Sequence, residues 1–225
     1  MKYQKLSEEE STGYSLLIYG AGGQGKVVLD SALFGGHRVL GFLDDDPDKW
    51  GMQLQGYPVF GGLSILEKNN FSQIRIVVAI GVNALRQKKV NCIKGEGYFF
   101  VPVVHPKTIV SPFSTIDEGT MVIAGAIINI ETQVGKHVIV NTGSTIDHDC
   151  RIGDFVHVAP GVHIGGEVMV GEGTLVGIGA VVKPGVKIGS WSVIGAGAVV
   201  IEDLPDSVVA VGVPAKVIRK VEPNR

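Results

Sequence analysis

The chain has 225 residues, enough for one or two domains and a sizeable core. A formal net charge of −2 with no clustered basic run argues against a nucleic-acid or anionic-membrane surface, and a 45% hydrophobic content excludes disorder. Cys92 and Cys150 lack CxxC spacing and make no disulfide framework, which suits a reducing cytoplasm, while 32 glycines, about twice the ordinary share, demand many tight corners.

Residues 1–14 are polar and acid-rich, unlike a signal peptide, and no apolar stretch reaches the ~20 residues needed to span a bilayer. The apolar run Ser15–Tyr19 predicts a strand. The sequence Gly20-Ala21-Gly22-Gly23-Gln24-Gly25 follows and fits G-x-G-x-x-G, with a helix predicted over Lys26–Phe34. Arg38–Leu43 is a second predicted strand, running into Asp44-Asp45-Asp46. Ile74–Ile80 is a third, ending at Gly81, and Phe100–Val104 a fourth. Strands alternating with helices predict a small Rossmann-like parallel sheet over residues 15–105. Glycines in such a loop let a phosphate approach backbone N–H groups at a helix N-terminus, and an acid about twenty residues on is placed for a ribose. The motif alone suggests NAD. About ninety residues is roughly half a dinucleotide fold, however, so a mononucleotide fits better; a turn without ligand is the competing reading.

From Val110 the chain becomes periodic. Every sixth residue to Val200 is Val or Ile, sixteen in succession, and four residues after each stands a second, mostly small residue: Ser114, Thr120, Ala126, Thr132 and so on to Ala198. The residue before that one is often glycine. Six residues hold one short strand and one corner, not a helix. A β-branched residue suits the strand and glycine suits the corner dihedrals. Three hexads then close a triangular coil of eighteen residues, and stacked coils bury one another as in any solenoid. A parallel β-helix is expected over residues 106–205, with a tail over 206–225.

This pattern resembles the hexapeptide-repeat acyltransferases, which implies a left-handed coil and a homotrimer. Val211–Lys220 resembles that family's tail, in which a Gly-x-Pro-Ala turn leads to a short terminal helix or strand. The stretch NTGSTIDHDCRIGDFVH is more specific. Asn141 precedes the pair His148-Asp149 by seven residues, and His157 follows nine residues after His148. With the Gly-rich loop, the acids Asp44 and Asp45, and Ala79-Ile80-Gly81 followed by Asn83 and Arg86, nearly the whole chain resembles the sialic acid O-acetyltransferase and UDP-4-amino-sugar N-acetyltransferase family. The resemblance implies acetyl-CoA as co-substrate, no metal, and a nucleotide-sugar acceptor.

An attacking amine must lose a proton, and an imidazole titrating near working pH suits that task. His148 projects outward as the third residue of its hexad, and the corner can bend Asp149 back to hold its tautomer. By resemblance, His157 contacts the acetyl end of the coenzyme and helps polarise its carbonyl. Asn141 bonds the sugar. Gly166, Ile178 and Ala196 line the coenzyme path, and Gly22, Gly23, Gln24, Asp44, Asp45 and Gly81 hold the nucleotide-sugar. Gln24 stands where relatives often have histidine, and Asp149 where they often have Glu. His137 and His163 read as structural or interfacial and Cys150 as core, while outward Ile127, Ile139, Leu175 and Val181 suggest a subunit interface. Competing functions are O-acetylation of a sialic-type acid, a zinc lyase of the carbonic-anhydrase type, a non-catalytic nucleotide-binding scaffold, and an NAD oxidoreductase.

Overall fold

The protein is described by a computed structural model over residues 13–68 and 74–222. Of the polar stretch at residues 1–14, all but the last two lie outside the described residues, as do the final three residues of the tail.

The N-terminal part is a six-stranded sheet built from β1 (Ser15–Tyr19), β2 (Arg38–Leu43), β3 (Gln53–Leu54), β4 (Tyr57–Gly61), β5 (Arg75–Val78) and β6 (Phe99–Phe100), in the order β3-β4-β2-β1-β5-β6. All neighbours are parallel except β3 and β4. Helix α1 (Gly23–Phe34) follows β1, α2 (Ser64–Lys68) follows β4, and α3 (Asn83–Gly95) joins β5 to β6. The central strand is covered on both faces, so its residues are apolar without alternation: Leu16, Leu17 and Ile18 are all fully buried. Leu16 and Ile18 pack with Val28, Leu29 and Ala32 of α1, and Leu17 and Tyr19 with Val90 and Ile93 of α3.

The C-terminal part is a left-handed β-helix of two-residue strands, from β7 (Val103–Val104) through β23 (Val199–Val200). The registry Met121↔Ile139↔His157↔Leu175↔Val193 steps by eighteen residues, as three hexads per coil require. One face of the prism carries β7, β10 (Met121–Val122), β13 (Ile139–Val140), β16 (His157–Val158), β19 (Leu175–Val176) and β22 (Val193–Ile194). The second carries every third strand from β8 (Ile109–Val110) to β23, and the third those from β9 (Thr115–Ile116) to β21 (Lys187–Ile188). From Val122 to Val200 every predicted inward Val or Ile is buried, while Val110 and Ile116 at the open end are only partly covered. Strands β24 (Val208–Val211) and β25 (Lys216–Lys220) extend the first face, so the tail ends in a strand rather than a helix.

The corners explain the glycines. Positions 119 to 197, taken every six residues, all have φ between 53° and 76°. Glycine fills eight of these fourteen; Glu131, His137, Asp149, Phe155, Glu167 and Trp191 take the rest despite the cost of a side chain there.

Two expectations need correction. Phe100–Val104 is not one strand: Phe99–Phe100 belongs to the first sheet and Val103–Val104 already pairs with Met121–Val122 in the β-helix. Pro102 lies between them, and the chain changes sheet there. Ile139 faces outward from its coil yet is fully buried inside one chain, packed with Val103 and Met121 in the cluster that holds α1 and β1. It is therefore covered by the N-terminal part and not free for a subunit contact.

Candidate active site

His148 and Asp149 occupy the corner between the second and third faces. Asp149 has a φ of 58°, which swings its carboxylate back along the chain, and its Oδ2 lies 2.8 Å from His148 Nδ1. A carboxylate only accepts, so Nδ1 carries a proton and, in the neutral ring, Nε2 keeps its lone pair. Asp147 Oδ1 accepts from the His148 backbone N–H at 2.9 Å and from Asn129 Nδ2 at 2.8 Å, which fixes the turn entering the corner. The bond to Asp149 holds the His148 pKa above its ordinary value, with Asp147 and Glu167 adding to the rise. About half of the His148 side chain is exposed, at 49%. On the adjoining second face a cavity of about 440 Å³ is bordered by Asp147, Gly165 and Pro184.

A second group forms where the two parts of the chain meet. His157, at the start of β16, places Nδ1 3.3 Å from the Gly81 carbonyl and Nε2 3.2 Å from Asn141 Nδ2. The carbonyl requires a proton on Nδ1, so Nε2 accepts from the Asn141 amide. Burial, reinforced by nearby Arg86, pulls the His157 pKa down to about 4, which keeps the ring neutral. In this tautomer Nε2 has no proton to give to a thioester carbonyl.

Arg86, from α3, organises this junction, a role the sequence did not reveal. It is wholly buried and its guanidinium donates to the carbonyls of His137 at 2.8 Å, Ile80 at 2.8 Å and Phe155 at 2.6 Å, and to Asn83 Oδ1 at 2.9 Å. Asn83 Nδ2 donates to the Gly173 carbonyl at 2.9 Å, and Gln87 Nε2 to Glu172 at 2.6 Å. These bonds run from α3 to the corner between the third and first faces and set Gly81 against His157.

The Gly-rich loop follows β1 at the same, carboxyl end of the sheet as Gly81, since Tyr19 pairs with Val78 in the parallel neighbour β5. Helix α1 starts at Gly23, three residues earlier than predicted, with Gly22 as its N-cap. A β-carbon on Gly25 would strike the Gly20 carbonyl, so that glycine permits the helix to pack on the strand end. Nothing lies within 4 Å of a β-carbon at Gly22, Gly23 or Gly81, which leaves open space above the helix N-terminus. Gln24 has a buried Nε2 without a partner among the described residues. Asp44 is engaged by the protein itself: Oδ2 accepts from Ala21 N–H at 2.8 Å and Lys49 Nζ at 3.1 Å, and Oδ1 from Asp46 N–H at 3.0 Å. Burial alone would raise its pKa, but these donors bring it below the usual value. Asp45 bonds Tyr19 and Lys89. Two lysines thus stand beside the loop that the motif alone did not indicate.

Gly166 lies one coil below His148, at the same corner. Ile178 and Ala196 are exposed at the corner between the first and second faces, so one chain does not bring them to Gly166. His163 is exposed on the second face, 2.9 Å from Thr145 Oγ1. His137 is buried between Phe100 and Phe155, its pKa pulled down to about 4 mainly by burial. The four histidines of the β-helix therefore do not converge, and among the described residues no group of three His, Cys, Asp or Glu is placed to hold a metal. Cys150 is fully buried and its Sγ faces the Gly165 carbonyl at 3.1 Å, as a core residue. Larger depressions, of about 810 and 830 Å³, lie along the third face and between α1 and the first coils; neither includes His148, His157 or the glycine loop. Among the described residues no helix is long and apolar enough to cross a membrane.

A stack of hexapeptide coils with a polar His–Asp pair at one corner and a glycine-loop α/β unit docked on its side defines a hexapeptide-repeat transferase. Residues 167–202 match the bacterial transferase hexapeptide family, and residues 15–93 the PglD N-terminal domain family. Among solved structures the chain is similar to PerB of Caulobacter crescentus in complex with CoA and GDP-perosamine, at 41% identity and a TM-score of 0.85 over 92% of this chain and 98% of that one. It is similar to the acetyltransferase domain of PglB from Neisseria gonorrhoeae in complex with acetyl coenzyme A, at 36% identity and a TM-score of 0.85, covering 92% of this chain and all 100% of that one. WeeI from Acinetobacter baumannii matches at 28% identity with a TM-score of 0.83, over 92% of this chain and 100% of the other. The chain belongs to the UDP/GDP-4-amino-sugar N-acetyltransferase family.

Proposed function

We propose that the protein transfers an acetyl group from acetyl-CoA to the 4-amino group of a nucleotide-linked amino sugar, with His148 as general base. The observation that carries this reading is the 2.8 Å contact of His148 Nδ1 with Asp149 at an outward corner. It leaves Nε2 as a lone pair whose basicity Asp149 raises. The amine attacks the thioester carbonyl carbon, Nε2 takes the amine proton, and the CoA thiolate leaves as the tetrahedral intermediate collapses. His157 serves as an acceptor at Nε2, exchanging Asn141 for a ligand N–H or O–H. Gly22, Gly23 and the first turn of α1 receive the nucleotide phosphates, with Gln24 donating its free amide proton and Gly81 flanking the sugar. Asp44 shapes the loop through Ala21, and Asp45 remains partly exposed for a ribose.

His148 and the His157–Asn141 pair sit a full face of the prism apart in one chain. A site using both takes them from neighbouring chains, which favours a homotrimer with its sites between subunits. The exposed Ile109 and Val181 of the intervening second face, at 65% and 40%, suit that contact. The same packing brings Gly166 of one chain toward Ile178 and Ala196 of the next, a path for pantetheine. A cytoplasmic enzyme of glycan synthesis, acting on small molecules without metal, nucleic acid or membrane, accords with the two unpaired cysteines.

The test is thiol release from acetyl-CoA with a panel of GDP-, UDP- and CMP-linked 4-amino sugars and with free sialic-type acids. Release with a 4-amino sugar, giving an alkali-stable amide, is expected. Release only with a hydroxyl acceptor, giving an alkali-labile ester, would replace N- by O-acetylation.

A further inference from the structure

The family fold repeats one corner in every coil, so equivalent positions can be compared within the chain. The position of His148 is occupied by Ile130 one coil above, Gly166 one coil below and Pro184 two below. Isoleucine and proline show that this corner backbone accepts a side chain. Gly166 also lacks the left-handed φ that its corner neighbours adopt. Its glycine therefore has no backbone cause. The cause is its neighbour: a β-carbon built on Gly166 would lie 2.5 Å from His148 Cε1, 2.6 Å from Nε2 and 3.1 Å from Cδ2, and no closer to anything else. A contact under 3 Å with one flexible ring displaces the ring and spares the fold.

We propose that Gly166 is a positioning residue: its missing β-carbon is the seat that lets the His148 ring lie against the corner with Nδ1 on Asp149 and Nε2 free for the acceptor amine. The inference rests on the general-base reading of His148 and adds what holds that base in place. A methyl group at residue 166 swings the imidazole away from Asp149, so the ring loses both its orientation and the carboxylate that raises its basicity. Displacement of a reacting group by about 1 Å costs on the order of a hundredfold in rate.

The experiment is Gly166→Ala in the full-length protein, read by thermal melting, steady-state kinetics and NMR titration of His148, alongside His148→Ala and the double variant. The expected results are an unchanged melting temperature, kcat lower by about a hundredfold and a His148 titration moved down toward 6.5. In the His148→Ala background, Gly166→Ala should cost nothing more, because it acts through that ring. Unchanged kcat and titration would overturn the proposal. So would a raised Michaelis constant for acetyl-CoA with kcat and titration intact, which would assign Gly166 to the coenzyme alone. Full activity of His148→Ala would instead sink the general-base reading, while the His148 titration in Gly166→Ala would still report on the seat.

Discussion

Arg86 ties α3 to the β-helix through its buried guanidinium. Replacing it with leucine removes four hydrogen bonds of 2.6–2.9 Å, three of them to carbonyls of residues 80, 137 and 155. Bonds to a charged group contribute roughly 1.5–3 kcal/mol each, so the gross loss is about 6–12 kcal/mol. Desolvation of the guanidinium offsets several kcal/mol of that; burial pulls its pKa down to about 9. The carbonyls of residues 137 and 155 are left buried and unpaired and that of residue 80 partly so, at about 1–3 kcal/mol each, which supports a net loss of about 3–5 kcal/mol. For a chain of this length that is a fall in melting temperature of roughly 6–20 °C. The assay is thermal and urea unfolding of wild type and Arg86→Leu at equal protein concentration, with hydrogen exchange followed at residues 80–82. Faster exchange there is expected, because Ile80 and Gly81 lose the group that holds them. A melting temperature within about 2 °C of wild type, which for this size is ~1 kcal/mol or less, would refute the view that Arg86 clamps α3 to the β-helix.

Asp149→Asn keeps a side chain at the corner but removes the charge that raises the His148 pKa, so the acidic limb of kcat/KM should move to lower pH while maximal activity falls; a limb that stays in place would show that another group titrates. His137 and His157 are both lowered to about 4, so the unfolded chain binds more protons between that value and 6.5, and stability should decline as pH falls through this window. His137→Phe should shrink that decline in melting temperature; an unaltered decline would remove His137 from the cause. One thiol per chain, Cys92, should react rapidly with a disulfide reagent in the native protein, and Cys150 only on unfolding, since it is fully buried and burial raises its pKa; two fast thiols would contradict the core assignment.

What could be read from the residues follows the range of the contacts. The β-helix was legible because each coil repeats the one before: Val122, Val140 and Val158 meet in register through a spacing that is itself a multiple of six. The His148–Asp149 pair was legible because the partners are adjacent and the corner dihedral alone turns one onto the other. The His157 environment was not. Its contact with Gly81 spans 76 residues and that of Arg86 with Phe155 spans 69, and no periodicity encodes either. The β3–β4 hairpin did leave a signal, Gln55-Gly56, whose φ values of 52° and 79° are those of a tight two-residue turn. Asp44 looked like a ribose ligand by spacing alone, yet its oxygens meet the Ala21 and Asp46 amides and Lys49, which only the folded loop brings within reach. Ile139 looked like interface because outward residues of a solenoid usually meet solvent or another chain; here the N-terminal part covers that stretch of the first face.

The most direct test of the central claim is the rate of acetyl transfer from acetyl-CoA to a nucleotide-linked 4-amino sugar by wild type and His148→Ala, with the product identified by NMR. Acetyl on the sugar nitrogen, formed about a hundred to ten thousand times more slowly by the variant, is the result predicted for loss of a general base. Equal rates in the two proteins, or no acetylated amine from wild type with any such sugar, would contradict it.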